Sequence, residues 1–385
     1  MKLHPQLRRL QVVSLAALLG GTMTVFVPPG LAQTSRAATQ GAAAIAARDV
    51  LLVLNKSDNT LSILDPVTGH ELTQAPTGAG PHEVAVSPDG RLAVVCNYGA
   101  QTPGNSLMVY DLTELVTRRT IDLGEHRRPH GIEFLGAHEV VVTTESSKSI
   151  LRVDVEAGKI LKAISTNQAG SHMLAVDPVS LRAYVANIPD ATVSAIDIEE
   201  GILIQQIPTG AGSEGIAITP DGREVWVGNR MANTVSVIDT SELKVVAELP
   251  CANFPIRVEI TPDGRHALVS NAHSGDVSVF GVASRKELRR IPMELAALEG
   301  SEERLFGDRF GQSPVPIGIQ ITPDGQQAFI ANTNADCVTV LDLTTWTAVR
   351  RLATGHQPDG MAWARLAPRA VQRAEAAAQP KGEPR

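Results

Sequence analysis

Cysteine is scarce in this chain, with only Cys96, Cys251 and Cys337 among 385 residues. These three lie far apart and form neither a C-x-x-C nor a C-x-x-C-H motif, which excludes a zinc ribbon and a covalent haem attachment site. We expect three unpaired, mostly packed thiols. One disulfide between two of them is the alternative in an oxidising compartment. The serine hydrolase motif G-x-S-x-G and the phosphate-binding motif G-x-x-x-x-G-K-[ST] are also absent.

Blocks of like charge are missing as well. The chain has 34 basic and 41 acidic residues, and its net charge of −7 is spread along the sequence. A nucleic-acid-binding protein would carry a basic patch or stripe, so the sequence does not indicate a nucleic acid partner. After the first 32 residues, no stretch is long and apolar enough to cross a membrane.

The first 32 residues have the pattern of an export signal. Lys2, Arg8 and Arg9 precede an apolar run over residues 10–27, and small residues end the segment near Ala32. An uncleaved membrane anchor is the alternative, but glycine and proline pairs interrupt the run. Arg8 and Arg9 leave the twin-arginine route open beside the general one. We expect residues 1–32 to be a signal peptide, residues 33–48 a linker, and the mature protein periplasmic or secreted.

The rest of the chain is an internal repeat. Seven short apolar runs end in a polar residue, at steps of 42, 48, 42, 42, 42 and 61 residues: Asn55, Asn97, Glu145, Asn187, Asn229, Asn271 and Asn332. Each copy holds four β-rich segments, and in most copies a "SPDG" or "TPDG" turn precedes the apolar run. Four strands in 40 to 45 residues are typical of one blade of a β-propeller, because such a sheet buries its faces only by stacking.

The two ends of the repeat predict how the ring closes. The first copy begins with DVLLVLN, at its second strand, and HQPDGMAWA at residues 356–364 supplies one strand more after the seventh copy. We therefore predict an all-β fold over residues 49–364, a seven-bladed β-propeller with four antiparallel strands per blade. Strands from both ends of the chain would share blade 1 and remove two free sheet edges. The Ala-, Arg- and Pro-rich tail at 365–385 is expected to be disordered.

The phrases AYVAN, ALVSN and AFIAN, with "TPDGR" before and "TVSVID" after, resemble the YVTN-repeat (YncE-like) seven-bladed propellers of the WD40/YVTN-like superfamily. The resemblance covers about residues 50–364 and implies the fold. That broad group includes periplasmic proteins with no assigned chemistry, and related propellers occur in quinoprotein-type dehydrogenases, haem d1 proteins and nitrous-oxide reductase. The resemblance therefore does not choose an activity.

One position of the repeat carries most of the candidate site residues. In a propeller the starts of the inner strands surround one mouth of the central channel, and this position reads His82, His130, His172, Glu214, Ile256, Ile317 and Asp359. Three imidazoles and a carboxylate suit Zn, Cu, Fe or Ni, so His82, His130, His172 and Glu214 are candidate metal ligands. A pocket for an anion or small molecule, or histidines that only bond backbone carbonyls, are the alternatives.

Two insertions are predicted to emerge on the face that carries the histidines. One spans residues 99–104, and the other spans 294–313 and includes Arg304, Phe306, Arg309 and Phe310. Long loops on a regular scaffold are often binding loops, although the longer one could instead be a short surface helix. Further candidate ligand-binding residues are Glu83, Glu145, Arg257 and His356.

These patterns predict a monomeric binding or accessory protein, whose small-molecule ligand or periplasmic protein partner docks at the channel mouth. The alternative is a metal-dependent enzyme that holds one transition metal ion with three histidines and a glutamate and leaves one position open. A third possibility is a propeller that binds protein partners through its blade rims. No sequence motif indicates a particular reaction.

Overall fold

Short apolar segments separated by turns form seven four-stranded antiparallel sheets. The computed structural model describes residues 46–177, 179–293 and 307–378. Each sheet is one blade, and the seven inner strands contact one another in a closed ring around a central channel. The prediction of an all-β, seven-bladed β-propeller is confirmed.

Blade 1 combines both ends of the chain, as the sequence predicts. Its inner strand is the last one, and it pairs with the first, with Arg48 opposite Leu366 and Val53 opposite Met361. The strands of this blade, from the outside inward, are β3 (Glu71–Pro76), β2 (Thr60–Leu64), β1 (Arg48–Asn55) and β28 (Pro358–Leu366).

The other six blades follow the chain order from the inner strand to the outer strand. Blades 2 to 4 consist of β4 (Pro81–Val86), β5 (Leu92–Gly99), β6 (Pro103–Asp111) and β7 (Val116–Asp122); β8 (Pro129–Phe134), β9 (Glu139–Thr144), β10 (Ser149–Asp154) and β11 (Lys159–Ser165); and β12 (Ser171–Asp177), β13 (Arg182–Asn187), β14 (Thr192–Asp197) and β15 (Ile202–Pro208). Blades 5 to 7 consist of β16 (Ser213–Ile218), β17 (Glu224–Asn229), β18 (Thr234–Asp239) and β19 (Lys244–Pro250); β20 (Pro255–Ile260), β21 (His266–Asn271), β22 (Asp276–Gly281) and β23 (Lys286–Pro292); and β24 (Pro316–Ile321), β25 (Gln327–Asn332), β26 (Cys337–Asp342) and β27 (Thr347–Ala353).

The "PDG" turns join the inner strands to the second strands by local hydrogen bonds. In blade 2 the hydroxyl of Ser87 donates to Asp89 at 2.6 Å, and the same carboxylate accepts the backbone N–H of Arg91 at 3.1 Å. Gly90 has a φ of +71°, a conformation that side chains with a Cβ rarely adopt. The turn is therefore encoded by residues that are close together in sequence.

The polar residue at the end of each second strand is buried and ties that strand to the third. Asn187 donates from its side-chain amide to Ser194 at 2.9 Å, and Asn229 donates to Ser236 at 2.8 Å. In blade 3 this position is Thr144, which pairs with Pro129 as Asn187 pairs with Ser171. The sequence alignment of Glu145 with the asparagines is therefore wrong by one residue.

The C-terminal tail differs from its expected disorder over the residues that the structure describes. Helix α1 (Pro368–Ala378) follows β28, and Ala370, Val371 and Ala374 are buried in the apolar cluster between blades 1 and 2. The three side chains lie at helical spacing, so they form an apolar stripe that the tail's polar composition conceals. On the other side of the helix Arg373 contacts Glu114 of blade 2.

Three short 3-10 helices complete the described structure, at Glu145–Ser147, Gly307–Phe310 and Thr333–Ala335. Among the described residues no helix has the length and apolar character that a membrane crossing requires. The three cysteines are free thiols, and Cys96 is buried.

Candidate functional site

The starts of the inner strands meet at one end of the channel, which is called the channel mouth below. The second residue of each inner strand forms the inner ring of this mouth: His82, His130, His172, Glu214, Ile256, Ile317 and Asp359. The ring centroids of His82 and His130 are 5.0 Å apart, and those of His130 and His172 are 3.7 Å apart. The structure thus brings the three histidines together.

A second ring surrounds the first, and sequence reasoning missed most of it. It consists of the residue that follows the recurrent asparagine of each second strand, or Thr144 in blade 3, and its polar members are Lys56, Tyr98, Glu145, Arg230 and Thr333. Reading one residue beyond each strand-end asparagine would have found this ring. The side chains of Lys56, Glu145 and Arg230 are 13–24% exposed, whereas those of His172, Glu214 and Asp359 in the inner ring are 2–9% exposed. The charged residues of the outer ring therefore form the rim through which solvent reaches the mouth.

Each polar residue of the inner ring contacts a residue of this outer ring, and His130 lies edge-on to Tyr98 at a centroid distance of 5.4 Å. The ring of Tyr98 lies 4.1 Å from that of His82. Lys56 Nζ is 3.2 Å from Asp359, and Arg230 Nη1 is 2.5 Å from Glu214.

His172 lies between two carboxylates. Its Nε2 is 3.1 Å from Glu214, and its Nδ1 is 3.8 Å from Glu145, which accepts a hydrogen bond from the Tyr98 hydroxyl. Burial alone would lower the pKa of His172, but the nearby carboxylates of Glu145 and Glu214 raise it above its ordinary value. Burial would raise the pKa of Glu145, yet His172 and Tyr98 bring it down to about 2. The two carboxylates therefore favour the charged form of His172.

His82 and His130 are neutral by contrast. Burial, followed by the charge of Lys56, lowers the pKa of His82 to about 3. Its Nδ1 is 2.8 Å from the carbonyl oxygen of Gly80, and because a carbonyl only accepts, Nδ1 carries the proton and Nε2 a lone pair. Burial and the neighbouring His172 keep the pKa of His130 well below its ordinary value.

An ion pair across the channel forms the floor of the mouth. Arg257 Nη2 of blade 6 is 2.5 Å from Glu83 of blade 2, and the guanidinium is also 4.0 Å from both Glu214 and Asp359. Burial would lower the pKa of Arg257, but these carboxylates raise it. At Gly215 a Cβ would come within 2.5 Å of the Arg257 backbone, so only glycine lets the inner strands of blades 5 and 6 approach this closely.

Below the floor lies an enclosed cavity of about 250 Å³ in the channel. Glu133 and Glu259 line it from blades 3 and 6. Burial and the neighbouring Glu259 raise the pKa of Glu133 to about 8, and burial with the charge of Glu83 raises that of Glu259 to about 7. These two carboxyl groups were not foreseen from the sequence, because nothing in their local pattern marks them.

The mouth does not have the geometry of the predicted metal site. The ring centroids of His130 and His172 are 3.7 Å apart, and their planes are tilted by 38°. Nδ1 of His82 bonds a carbonyl oxygen, and Nε2 of His172 bonds Glu214. Within the described ranges no three His, Cys, Asp or Glu side chains are arranged to hold a metal ion. The residues present do not fit the single transition metal ion of the alternative hypothesis.

Several polar atoms of the mouth are buried without a hydrogen-bond partner. Of ten such side-chain atoms in the described part of the chain, five belong to the mouth: Nδ1 of His130, Nδ1 of His172, Oε2 of Glu214, Nε of Arg230 and Oδ1 of Asp359. The Oε2 atom of Glu214 has Arg230 close by but not in hydrogen-bonding alignment. Buried polar atoms are nearly always satisfied, so this concentration needs an explanation.

The remaining predicted residues lie around the mouth or away from it. Arg309 lies over the ring of Phe310, which packs against Phe254 at a centroid distance of 4.8 Å and covers the isoleucine side of the inner ring. Arg304 and Phe306 lie outside the described residues. His356 bonds Asp58 on the exposed surface and is not part of the mouth.

The shorter insertion does reach the mouth. Residues 99–104 lengthen the hairpin that ends beside Tyr98, and Arg128 donates to the carbonyl oxygen of Ala100 at 3.3 Å. The guanidinium of Arg128 lies 4.6 Å from the centre of the Tyr98 ring. The insertion thus supports one side of the outer ring.

Comparison with known families identifies the propeller. The model of the YncE-like β-propeller family matches residues 8–199 and 190–298. The chain belongs to this family. A comparison with curated proteins finds no match.

Solved structures show the same fold at low sequence identity. A hydrazine synthase chain from Kuenenia stuttgartiensis is 20% identical with a TM-score of 0.61, and the match covers 73% of this chain and 88% of that one. A functionally unknown protein from Desulfotomaculum acetoxidans is 16% identical with a TM-score of 0.68, covering 82% and 98%. At these identities, the likeness to this YncE-like propeller concerns the fold alone.

Proposed function

We propose that this YncE-like propeller is a binding or accessory protein that holds a small polar molecule in its channel mouth. The observation that supports this most is the group of five unpartnered buried polar atoms. Each such atom costs about 1–3 kcal/mol when nothing replaces its lost water. A ligand with matching donors and acceptors would remove these costs on binding, and it would also explain why they are concentrated at one end of the channel.

A purely structural role for the histidines accounts for the mouth less well. His82 does bond the carbonyl of Gly80, as that reading requires, but His130 is 1% exposed and its Nδ1 has no partner. A mouth selected only for packing would carry apolar side chains at this depth, as Ile256 and Ile317 show on the other side of the ring.

Binding is tested by equilibrium dialysis of the purified protein against a small-molecule extract of its native compartment, followed by mass spectrometry. The test variant is His172→Leu/Glu214→Leu, which removes both charges of one ion pair together and keeps the mouth filled. The control is Arg265→Leu on the exposed surface. We expect a small molecule to be enriched by the wild type and the control but not by the double variant. Equal or absent enrichment in all three would refute the proposal.

We further propose that the protein is exported and acts in the periplasm or outside the cell. Support comes from the basic, apolar and small-residue pattern of residues 1–32. Cell fractionation with N-terminal sequencing of the mature protein tests this. A mature chain that begins at or near Gln33 in the periplasm or medium is expected, whereas a full-length chain in the cytoplasm would contradict export.

A further inference from the structure

The unpartnered atoms of the mouth differ in chemistry from one side to the other. On blade 1 the unpartnered atom is Oδ1 of Asp359, an acceptor, and on neighbouring blade 2 the lone pair of His82 Nε2 is a second acceptor. On blades 4 and 5 three atoms of the mouth are unpartnered: Nδ1 of His172 and Nε of Arg230, which donate, and Oε2 of Glu214, an acceptor that already lies 2.5 Å from the Arg230 guanidinium. Apart from this carboxylate, whose charge Arg230 already compensates, one side of the mouth accepts hydrogen bonds and the other donates them.

The two sides are close enough for one small molecule to touch both. Arg257 spans the floor between them, with Nη1 4.0 Å from Glu214 and Nη2 4.0 Å from Asp359. The accepting and donating sides therefore flank a single guanidinium group, and each has a carboxylate 4.0 Å from it.

The charges of the mouth and its floor cancel. Four cationic groups face four carboxylates: Lys56, His172, Arg230 and Arg257 against Glu83, Glu145, Glu214 and Asp359. A ligand with a net charge would leave one buried charge uncompensated, which is costly at this depth. A ligand with one positive and one negative group keeps the balance.

Resting on the proposed function, we infer that the ligand is a small zwitterion of the amino-acid type. Its ammonium group donates to Asp359 and His82, and its carboxylate accepts from Arg230 and His172. A zwitterion satisfies unpartnered atoms on both sides at once, and a simple amine or a simple carboxylate satisfies those on only one side.

Isothermal titration calorimetry at neutral pH tests this with defined probes: L-alanine, glycine betaine, methylamine and acetate. L-alanine should bind at one site per chain, and methylamine and acetate should bind at least about tenfold more weakly. Glycine betaine has both charges but no N–H donor, so it should also bind more weakly than L-alanine. Equal affinity for betaine and L-alanine would overturn the assignment of the accepting side.

Two substitutions test the two sides separately. Asp359→Asn keeps the shape of the accepting side and removes its charge, and Arg230→Lys keeps the charge of the donating side and removes Nε. Each should weaken L-alanine binding about 10- to 100-fold. The exposed Arg223 on the "PDG" turn of blade 5 provides the matched control Arg223→Lys, which should bind like the wild type.

Thermal melting separates a binding defect from a folding defect, since a variant that melts near the wild type but has lost binding supports the assignment. L-alanine binding that both variants leave unchanged would place the site elsewhere and overturn the inference. If the wild type enriches a molecule in the dialysis experiment but no zwitterion binds, the zwitterion class is wrong and the proposed function stands. If nothing is enriched and no zwitterion binds, both fail.

Discussion

Arg257 is expected to stabilise the whole ring, because it neutralises carboxylates from three other blades. Its side chain is 8% exposed, and that of its closest partner, Glu83, is 14% exposed. In Arg257→Leu, the carboxylate of Glu83 loses its contact at 2.5 Å, and Glu214 and Asp359 each lose a cation at 4.0 Å. Carboxylates at this depth are not compensated by water.

The size of the effect follows from the burial of the pair. Breaking a buried ion pair by removing one partner costs about 3–5 kcal/mol. For a chain of this length that corresponds to a fall in Tm of about 4–7 °C. Glu83→Leu should cost about 2 kcal/mol, since Arg257 keeps two carboxylates nearby. The double variant Glu83→Leu/Arg257→Leu should be more stable than Arg257→Leu alone, because it removes the unpaired Glu83 carboxylate, while Glu214 and Asp359 keep Arg230 and Lys56 as partners.

The assay is thermal unfolding at pH 7.5, followed by circular dichroism at one scan rate for the wild type, both single variants and the double variant. The more exposed pair Arg285 and Glu224 serves as the matched control, and breaking it should cost no more than about 1 kcal/mol. If Arg257→Leu melts within 2 °C of the wild type, or if the double variant melts at the sum of the two single losses, the floor is not the coupled ion pair described above.

Three further predictions concern the tail and the titratable groups of the channel. Deleting residues 367–385 should lower the free energy of unfolding by about 2–4 kcal/mol, because the apolar stripe of α1 no longer packs against blade 1. Chemical denaturation measures this, and an unchanged midpoint would contradict the packing. The pKa of Glu133 is about 8 and that of Glu259 about 7, so the folded protein retains protons that the unfolded chain releases above about pH 4.5. The free energy of unfolding should therefore fall as the pH rises from 4.5 to 8, and the variant with glutamine at both positions should lack this fall. The pKa of His82, about 3, has the opposite consequence: its contribution to the free energy of unfolding is present above pH 6.5 and is lost on acidification towards pH 3. His82→Gln should therefore reduce the slope of stability against pH on the acid side by up to about 1.4 kcal/mol per pH unit. An unchanged slope would show that His82 is charged in the folded state.

The fold could be predicted because each blade is encoded locally. The hydroxyl of Ser87, the carboxylate of Asp89 and the positive φ of Gly90 form one turn within four residues, and the same turn recurs along the chain. In blade 3, Thr144 occupies the position of the strand-end asparagine. Because the asparagine is missing there, the sequence comparison aligned Glu145 with the asparagines, one residue too late. Helix α1 was missed because its apolar stripe consists mostly of alanine, which composition alone does not mark as buried.

The inner ring of the site could be predicted for the same reason, since His82, His130 and His172 occupy one register position of successive repeats. Their partners could not, because they lie on other parts of the chain: Lys56 and Asp359 come from opposite ends of the sequence and meet only when the ring closes. The metal hypothesis rested on residue types alone, and residue types do not reveal that Nδ1 of His82 bonds a carbonyl oxygen or that Nε2 of His172 lies 3.1 Å from Glu214.

The central claim is that the mouth holds a small polar molecule, and native mass spectrometry of the untagged protein from its native compartment tests it most directly. The wild type should carry an additional organic mass that gentle activation removes, and His172→Leu/Glu214→Leu should carry none. A wild type with only the mass of its mature chain, or with a metal-sized addition that the double variant loses, would contradict the claim.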